Sequence, residues 1–120
     1  MDEKQALGAF AALSQETRLR IVRLLVAAGP EGLPAGAIGE AMDGASSSRM
    51  SFHLSQLEHA GLATSRREGR SIVYSAAYPA LSGLIEFLMR DCCHGHPEVC
   101  NPAMAALSSC CNPTKGTARG

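Results

Sequence analysis

Cysteine is missing from the first 91 residues of this 120-residue chain, and all five of its cysteines, Cys92, Cys93, Cys100, Cys110 and Cys111, stand in the last 29. A secreted fold stapled by disulfides would spread them through its body, so that class is excluded. Five thiols cannot all pair within one chain, and in a reducing cytosol such a cluster reads as metal-binding or redox-active. Also missing is any run of about 18 to 20 uninterrupted apolar residues, the length that a membrane span needs. The opening stretch MDEKQALG is acidic and polar, unlike the basic start and apolar run of a signal peptide. These absences predict a cytoplasmic protein with no membrane partner.

Net charge is zero, which on its own argues against a nucleic-acid partner. The distribution argues the other way. Residues 1 to 45 carry four Lys/Arg against six Asp/Glu, residues 46 to 78 four against two, and residues 79 to 120 three against three. The middle third is the basic part. With 46% apolar residues the chain suits one compact domain.

The hydrophobic spacing predicts helices over residues 3 to 12 and 15 to 28, the second capped by Ser14, with Thr17, Ile21, Leu24 and Leu25 on one face and a stop at Gly29-Pro30. A short helix follows over 35 to 42, with Ile38 and Met42 inward. After the break at Asp43-Gly44, Ser46 or Ser47 caps a helix whose inner face is Met50, Leu54 and Leu57 and which ends at Gly61. Two short helices joined by a tight polar turn make a helix-turn-helix. Residues 62 to 67 and 71 to 76 read as strands joined by the three-residue connection Glu68-Gly69-Arg70. Pro79 opens a last helix to about Arg90, with Leu81, Leu84, Ile85 and Leu88 as its apolar stripe. The expected fold is mostly α with a two-stranded β-hairpin wing, a winged helix-turn-helix. Residues 1 to 91 form the DNA-binding and dimerisation domain, and 92 to 120 a cysteine-rich tail in which Pro102 to Leu107 can form a helical turn or two.

Opposite the inner face of the second helix of the pair stand Ser48, Arg49, Ser51, Phe52, Ser55 and Gln56, with Ser46 and Ser47 at its N-terminus, where backbone amides favour a phosphate. Arg49 suits guanine and Gln56 adenine. Periodicity alone fits a well-capped helix with a solvated face equally well. The hairpin tips the balance, because Arg66, Arg67 and Arg70 on and beside its turn can reach the DNA backbone or minor groove.

Ser51-Phe52-His53-Leu54, then Leu57-Glu58-His59-Ala60-Gly61-Leu62, then Arg67-Glu68-Gly69-Arg70-Ser71-Ile72-Val73-Tyr74, together with the run from Ala11 to Ile21, resemble the ArsR family of metalloregulatory repressors over roughly residues 7 to 90. The resemblance implies a homodimer through the first and last helices. It also implies recognition helices in successive major grooves of an inverted-repeat operator on double-stranded DNA. Dimerisation doubles the middle third's excess from two positive charges to four. Phe52 departs from the polar or basic residue that many relatives hold there, which leaves packing or a thymine methyl as its role; His53 reads as a structural hydrogen-bonding residue.

Family members sense metals at different places. A thiol site in the helix-turn-helix region needs cysteines, and residues 35 to 43 have none; a zinc site on the last helix needs histidine, and residues 79 to 91 have none. What remains is Cys92-Cys93-His94-Gly95-His96-Pro97-Glu98-Val99-Cys100. Trivalent arsenic or antimony prefers three sulfurs in a trigonal pyramid, and soft thiolates select such ions. A Cys-Cys-His start after the last helix resembles arsenic-resistance repressors whose triad sits there, which implies Cys92, Cys93 and Cys100 as ligands and As(III), with Sb(III) beside it, as inducer. Open alternatives are zinc or cadmium held by Cys with His94 or His96, incidental thiols, and a redox pair. Cys110-Cys111 can complete a site, capture the metalloid first, or be dispensable, and the last is favoured. No catalytic residues are expected: a cysteine-based arsenate reductase or thiol oxidoreductase would show Cys-x5-Arg or Cys-x-x-Cys, and neither occurs. A metallochaperone would leave the helix-turn-helix and its basic wing unexplained.

Overall fold

The computed structural model describes residues 1 to 89 together with Pro102, Ala105 and Ala106. Met1–Phe87 make one compact unit and Leu88–Gly120 a second; in the second, Pro102, Ala105 and Ala106 have helical backbone and are exposed.

Helix α1 (Glu3–Leu13) starts with a reciprocal cap that the sequence analysis did not anticipate. The Asp2 carboxylate accepts from the Gln5 N–H at 2.7 Å, and the Gln5 side chain accepts from the Asp2 N–H at 2.9 Å. Its buried face is made only of Ala6, Ala9 and Ala12, so α2 (Glu16–Ala28) can approach closely. The cap of α2 is Gln15, whose side chain accepts from the Arg18 N–H at 2.8 Å. Ser14, the expected cap, instead donates its hydroxyl back to the Ala11 carbonyl at 2.8 Å and closes α1. Its hydrogen bond serves the helix behind it rather than the one ahead.

After Gly29 ends α2 with φ +86, a two-residue strand β1 (Leu33–Pro34) precedes α3 (Ala35–Ala41). Asp43 and Gly44 then both take positive φ, +62 and +68, which reverses the chain in minimal space before α4 (Ser47–His59). The end of α4 satisfies its orphan carbonyls through Gly61 at φ +80: the Gly61 N–H reaches the Glu58 carbonyl and the Leu62 N–H the Leu57 carbonyl, both at 2.9 Å.

Strands β2 (Ala63–Glu68) and β3 (Ser71–Ala76) pair antiparallel with Glu68 opposite Ser71. The connection is therefore the two residues Gly69-Arg70 rather than the expected three. Gly69 alone takes positive φ, +61, the first-position glycine of a II′ turn, whose twist matches the flanking strands. β3 is central, since β1 pairs on its other edge through Leu33 with Tyr74 and Pro34 with Val73. α5 (Tyr78–Met89) follows, and the Tyr78 hydroxyl donates to the Val26 carbonyl of α2 at 3.3 Å.

Ile21, Leu25, Ile38, Leu54, Leu57 and Leu62 are the largest fully buried side chains, so the core is an apolar meeting of α2, α3, α4 and the start of the hairpin. The inward positions Ile38 and Met42, then Met50, Leu54 and Leu57, are buried as their spacing predicts. Among the described residues no helix is long and apolar enough to cross a membrane.

Candidate nucleic-acid interface

The core fixes the roll of α4, and the roll decides which side chains face out. With Met50, His53, Leu54 and Leu57 turned inward, a helical step of about 100° per residue puts Ser48, Phe52 and Ser55 at the centre of the outer face. Ser47 and Ser51 flank that centre on one side and Arg49 and Gln56 on the other. All of these residues are exposed, as is Ser46. The Ser46 hydroxyl accepts from the Arg49 N–H at 3.3 Å and lies 3.4 Å from the Ser48 hydroxyl, so the first turn presents a cluster of small hydroxyls beside free backbone amides.

Ser47 and Ser51 face the wing. Together with Met50, Leu54, Arg70 and Ile72 they line a cleft of about 510 Å³ between α3, α4 and the hairpin. Gln56 turns instead to a shallower crevice between α4 and α1, shared with Arg18 and His59. The polar face expected from the sequence is thus one surface with two flanks.

Phe52 is 56% exposed and meets the His53 ring in a T-shaped arrangement, with centroids 5.6 Å apart. Of the two roles left open for it, core packing is not what it does. Ile72 on the wing, 39% exposed, is a second outward apolar group that sequence reasoning passed over, because a strand residue of that type reads as core.

The three wing arginines divide by the twofold alternation of the strand. Arg66 points back toward the body. It donates to the Glu31 carbonyl at 2.7 Å and to the Ser75 hydroxyl at 3.2 Å, and it pairs with Glu68. Ser65 and Arg67 lie on the opposite face, where the Ser65 hydroxyl donates to the Glu58 carboxylate of α4 at 2.7 Å. Arg67 and Arg70 are exposed and have no side-chain partner among the described residues. Charge type was legible in the sequence; the commitment of Arg66 was not, because its partners lie 9 and 35 residues away.

His53 is 7% exposed, and burial first, then Arg18 and Arg49, lower its pKa below the ordinary 6.5. Tyr74, at the floor of the cleft, is raised above its ordinary value by burial and then by Glu58. Cys92, Cys93 and Cys100 lie outside the described residues, as do His94, His96, Cys110 and Cys111. Among the described residues no group of three His, Cys, Asp or Glu side chains could hold a metal ion.

Comparison with known proteins agrees with this geometry. Residues 13–66 match the helix-turn-helix domain family HTH_20. No curated protein matches the chain. Among solved structures, an ArsR-like transcriptional regulator from Rhodococcus sp. RHA1 is similar at 27% identity over 90% of this chain and 93% of that one, with a TM-score of 0.63. A possible transcriptional regulator for arsenical resistance is 31% identical over 65% of this chain and 77% of that one, with a TM-score of 0.57. The homodimeric winged helix-turn-helix DNA-binding domain of a possible ArsR-family regulator from Mycobacterium bovis is 31% identical over 78% of this chain and 86% of that one, with a TM-score of 0.58. With a wing beside an exposed, hydroxyl-rich helix face and this degree of identity to an ArsR-family domain, the chain is a DNA-binding regulator and not an enzyme, and it belongs to the ArsR family of winged helix-turn-helix transcriptional regulators.

Proposed function

We propose that the protein is a homodimeric repressor which holds an inverted-repeat operator through α4 and the wing and releases it when As(III) or Sb(III) is bound by Cys92, Cys93 and Cys100. The observation that carries the DNA reading is the outer surface of α4, where Ser46, Ser47, Ser48, Arg49, Ser51, Ser55 and Gln56 are all exposed, as are Arg67 and Arg70 on the wing. The first turn of α4 takes a backbone phosphate on its amides and hydroxyls. Arg49 and Gln56 supply bidentate donors and acceptors to base edges, Phe52 meets a thymine methyl, and Arg67 and Arg70 contact phosphates. Arg66 acts behind them by holding the wing.

Exposed Leu7 and Phe10 on α1, at 63% and 37%, and Ile85 on α5, at 43%, supply apolar surface for a second copy of the chain. The inducer reading is supported by the donor set. Three thiolates within nine residues suit a trigonal, thiophilic ion better than zinc, which favours four ligands. His94 and His96 between those thiols are what favours the second reading, zinc or cadmium at the same segment. Release by a factor of about ten needs about 1.4 kcal/mol of coupling between the inducer and DNA sites.

The test is DNA retardation by the reduced protein on its own promoter, titrated with arsenite, for the native chain and for Cys92→Ser, Cys93→Ser and Cys100→Ser. Release of the native protein with retention of all three variants is the expected result. Binding that ignores arsenite moves the inducer to zinc, cadmium or an oxidant, and absence of binding overturns the repressor reading.

A further inference from the structure

His53 stands on the buried side of the recognition helix, and its Nδ1 lies 3.3 Å from Nη1 of Arg18 in α2. A guanidinium can only donate, so this contact requires Nδ1 to be bare and the ring neutral, with its proton on Nε2. The same arginine donates its Nε–H to the Ala12 carbonyl of α1 at 2.8 Å. One side chain therefore reaches three helices: it is rooted in α2, holds α1 by a backbone carbonyl and holds α4 by an imidazole. The other side of that imidazole meets Phe52, which stands at the centre of the outer face of α4.

We propose that Arg18 and His53 are positioning residues which lock α4 in its DNA-reading orientation, and that protonation of His53 releases the lock and weakens operator binding. This rests on the reading that α4 contacts DNA. A proton on Nδ1 removes the only acceptor that the ring offers Arg18 and places a new cation beside two others, Arg18 of α2 and Arg49 of α4 itself. α1 contributes the Ala12 carbonyl, already taken by Arg18, and among the described residues no carboxylate stands with the groups that act on the ring. His59 lies in the nearby crevice between α1 and α4 and needs its own control. Because DNA binding and the locked helix go together, protons and operator compete for the protein by linkage. Each further unit by which DNA lowers the pKa of His53 costs up to tenfold in affinity on the acid side.

The discriminating experiment is fluorescence anisotropy of the full-length reduced protein on a labelled promoter duplex between about pH 7.5 and about pH 5.5 at constant ionic strength, the range in which histidine titrates. The native protein is expected to lose about fivefold or more in affinity across that range. His53→Asn places an amide oxygen near the site of Nδ1 without titrating, and is expected to bind comparably at neutral pH and not to weaken in acid. Arg18→Gln should bind weakly at both ends, and His59→Gln should keep the native profile. A native profile that is flat, or a His53→Asn profile that falls as steeply as the native one, overturns the inference. So does a loss of far-UV helix signal in step with the loss of affinity. Absence of binding at every pH overturns the DNA reading together with the inference built on it.

Discussion

Replacing Arg66 by alanine should weaken the fold while leaving the salt dependence of DNA binding alone, the reverse of what replacing Arg67 should do. The magnitude follows from the partners. The pair with Glu68 is half-exposed, 44% and 55% at the two side chains, so it is worth no more than about 0.5 kcal/mol. The bond to the Glu31 carbonyl is charge-assisted but reaches solvent, and losing it costs about 1 kcal/mol. Ser75 keeps the Pro30 carbonyl as acceptor for its hydroxyl at 3.2 Å and is not stranded. The sum is about 1 to 2 kcal/mol, with about 4 to 8 °C of Tm lost for each kcal/mol in a domain of this size. Arg67 is proposed to neutralise a phosphate. Its loss from both subunits of a dimer removes two such contacts and should flatten the slope of log K against log salt by about 1.8. Thermal denaturation and anisotropy titrations at four or five salt concentrations measure both quantities on both variants. A normal Tm for Arg66→Ala, or a slope reduced as much as that of Arg67→Ala, refutes the division of the wing into a holding face and a contacting face.

Three other substitutions bear on the same architecture. Gly32 has φ +73, and a Cβ there would stand 2.2 Å from the Tyr74 carbonyl oxygen, so Gly32→Ala should destabilise by about 3 kcal/mol or more and show it as a lowered urea midpoint; a midpoint near native would mean that the turn is free to move. Ser46→Ala removes the side-chain cap of α4 and should cost about 1 kcal/mol, with Ser46→Gly costing only a few tenths; equal losses would show that the hydroxyl is not the cap. His53 has its pKa below the ordinary 6.5, so as pH falls the unfolded chain takes up a proton before the folded one does. The stability it contributes is complete above the unfolded value and drains away as pH passes down through the folded one, and His53→Asn should flatten that part of the stability profile as read by urea midpoints.

The helices were legible because their signals are local. Met50, Leu54 and Leu57 recur at helical spacing, and Gly61 closes the segment with the one backbone conformation that favours glycine. Ser14 misled because a hydroxyl can serve the helix on either side, and the glutamine that follows is a rarer cap. β1 was invisible for a different reason. Two residues, one of them Pro34, carry no alternation, and their only reason to be a strand is β3, about 40 residues along the chain. The role of Arg66 and the meeting of Arg18 with His53 belong to the same class, since long-range partners leave no periodic trace. The thiols were the reverse case: soft donors in one short run suggest a chemistry without any fold at all.

The attachment of β1 changes what kind of object the wing is. A lone two-stranded ribbon is marginally stable in water. Here its inner strand is stitched to the residues that lead straight into α3, so the probing tip and the helix pair share one sheet. A signal arriving from elsewhere in the chain has no soft finger to fold away. On the proposed reading of a dimeric repressor, an inducer would therefore work on the spacing between two reading heads more than on the shape of either wing.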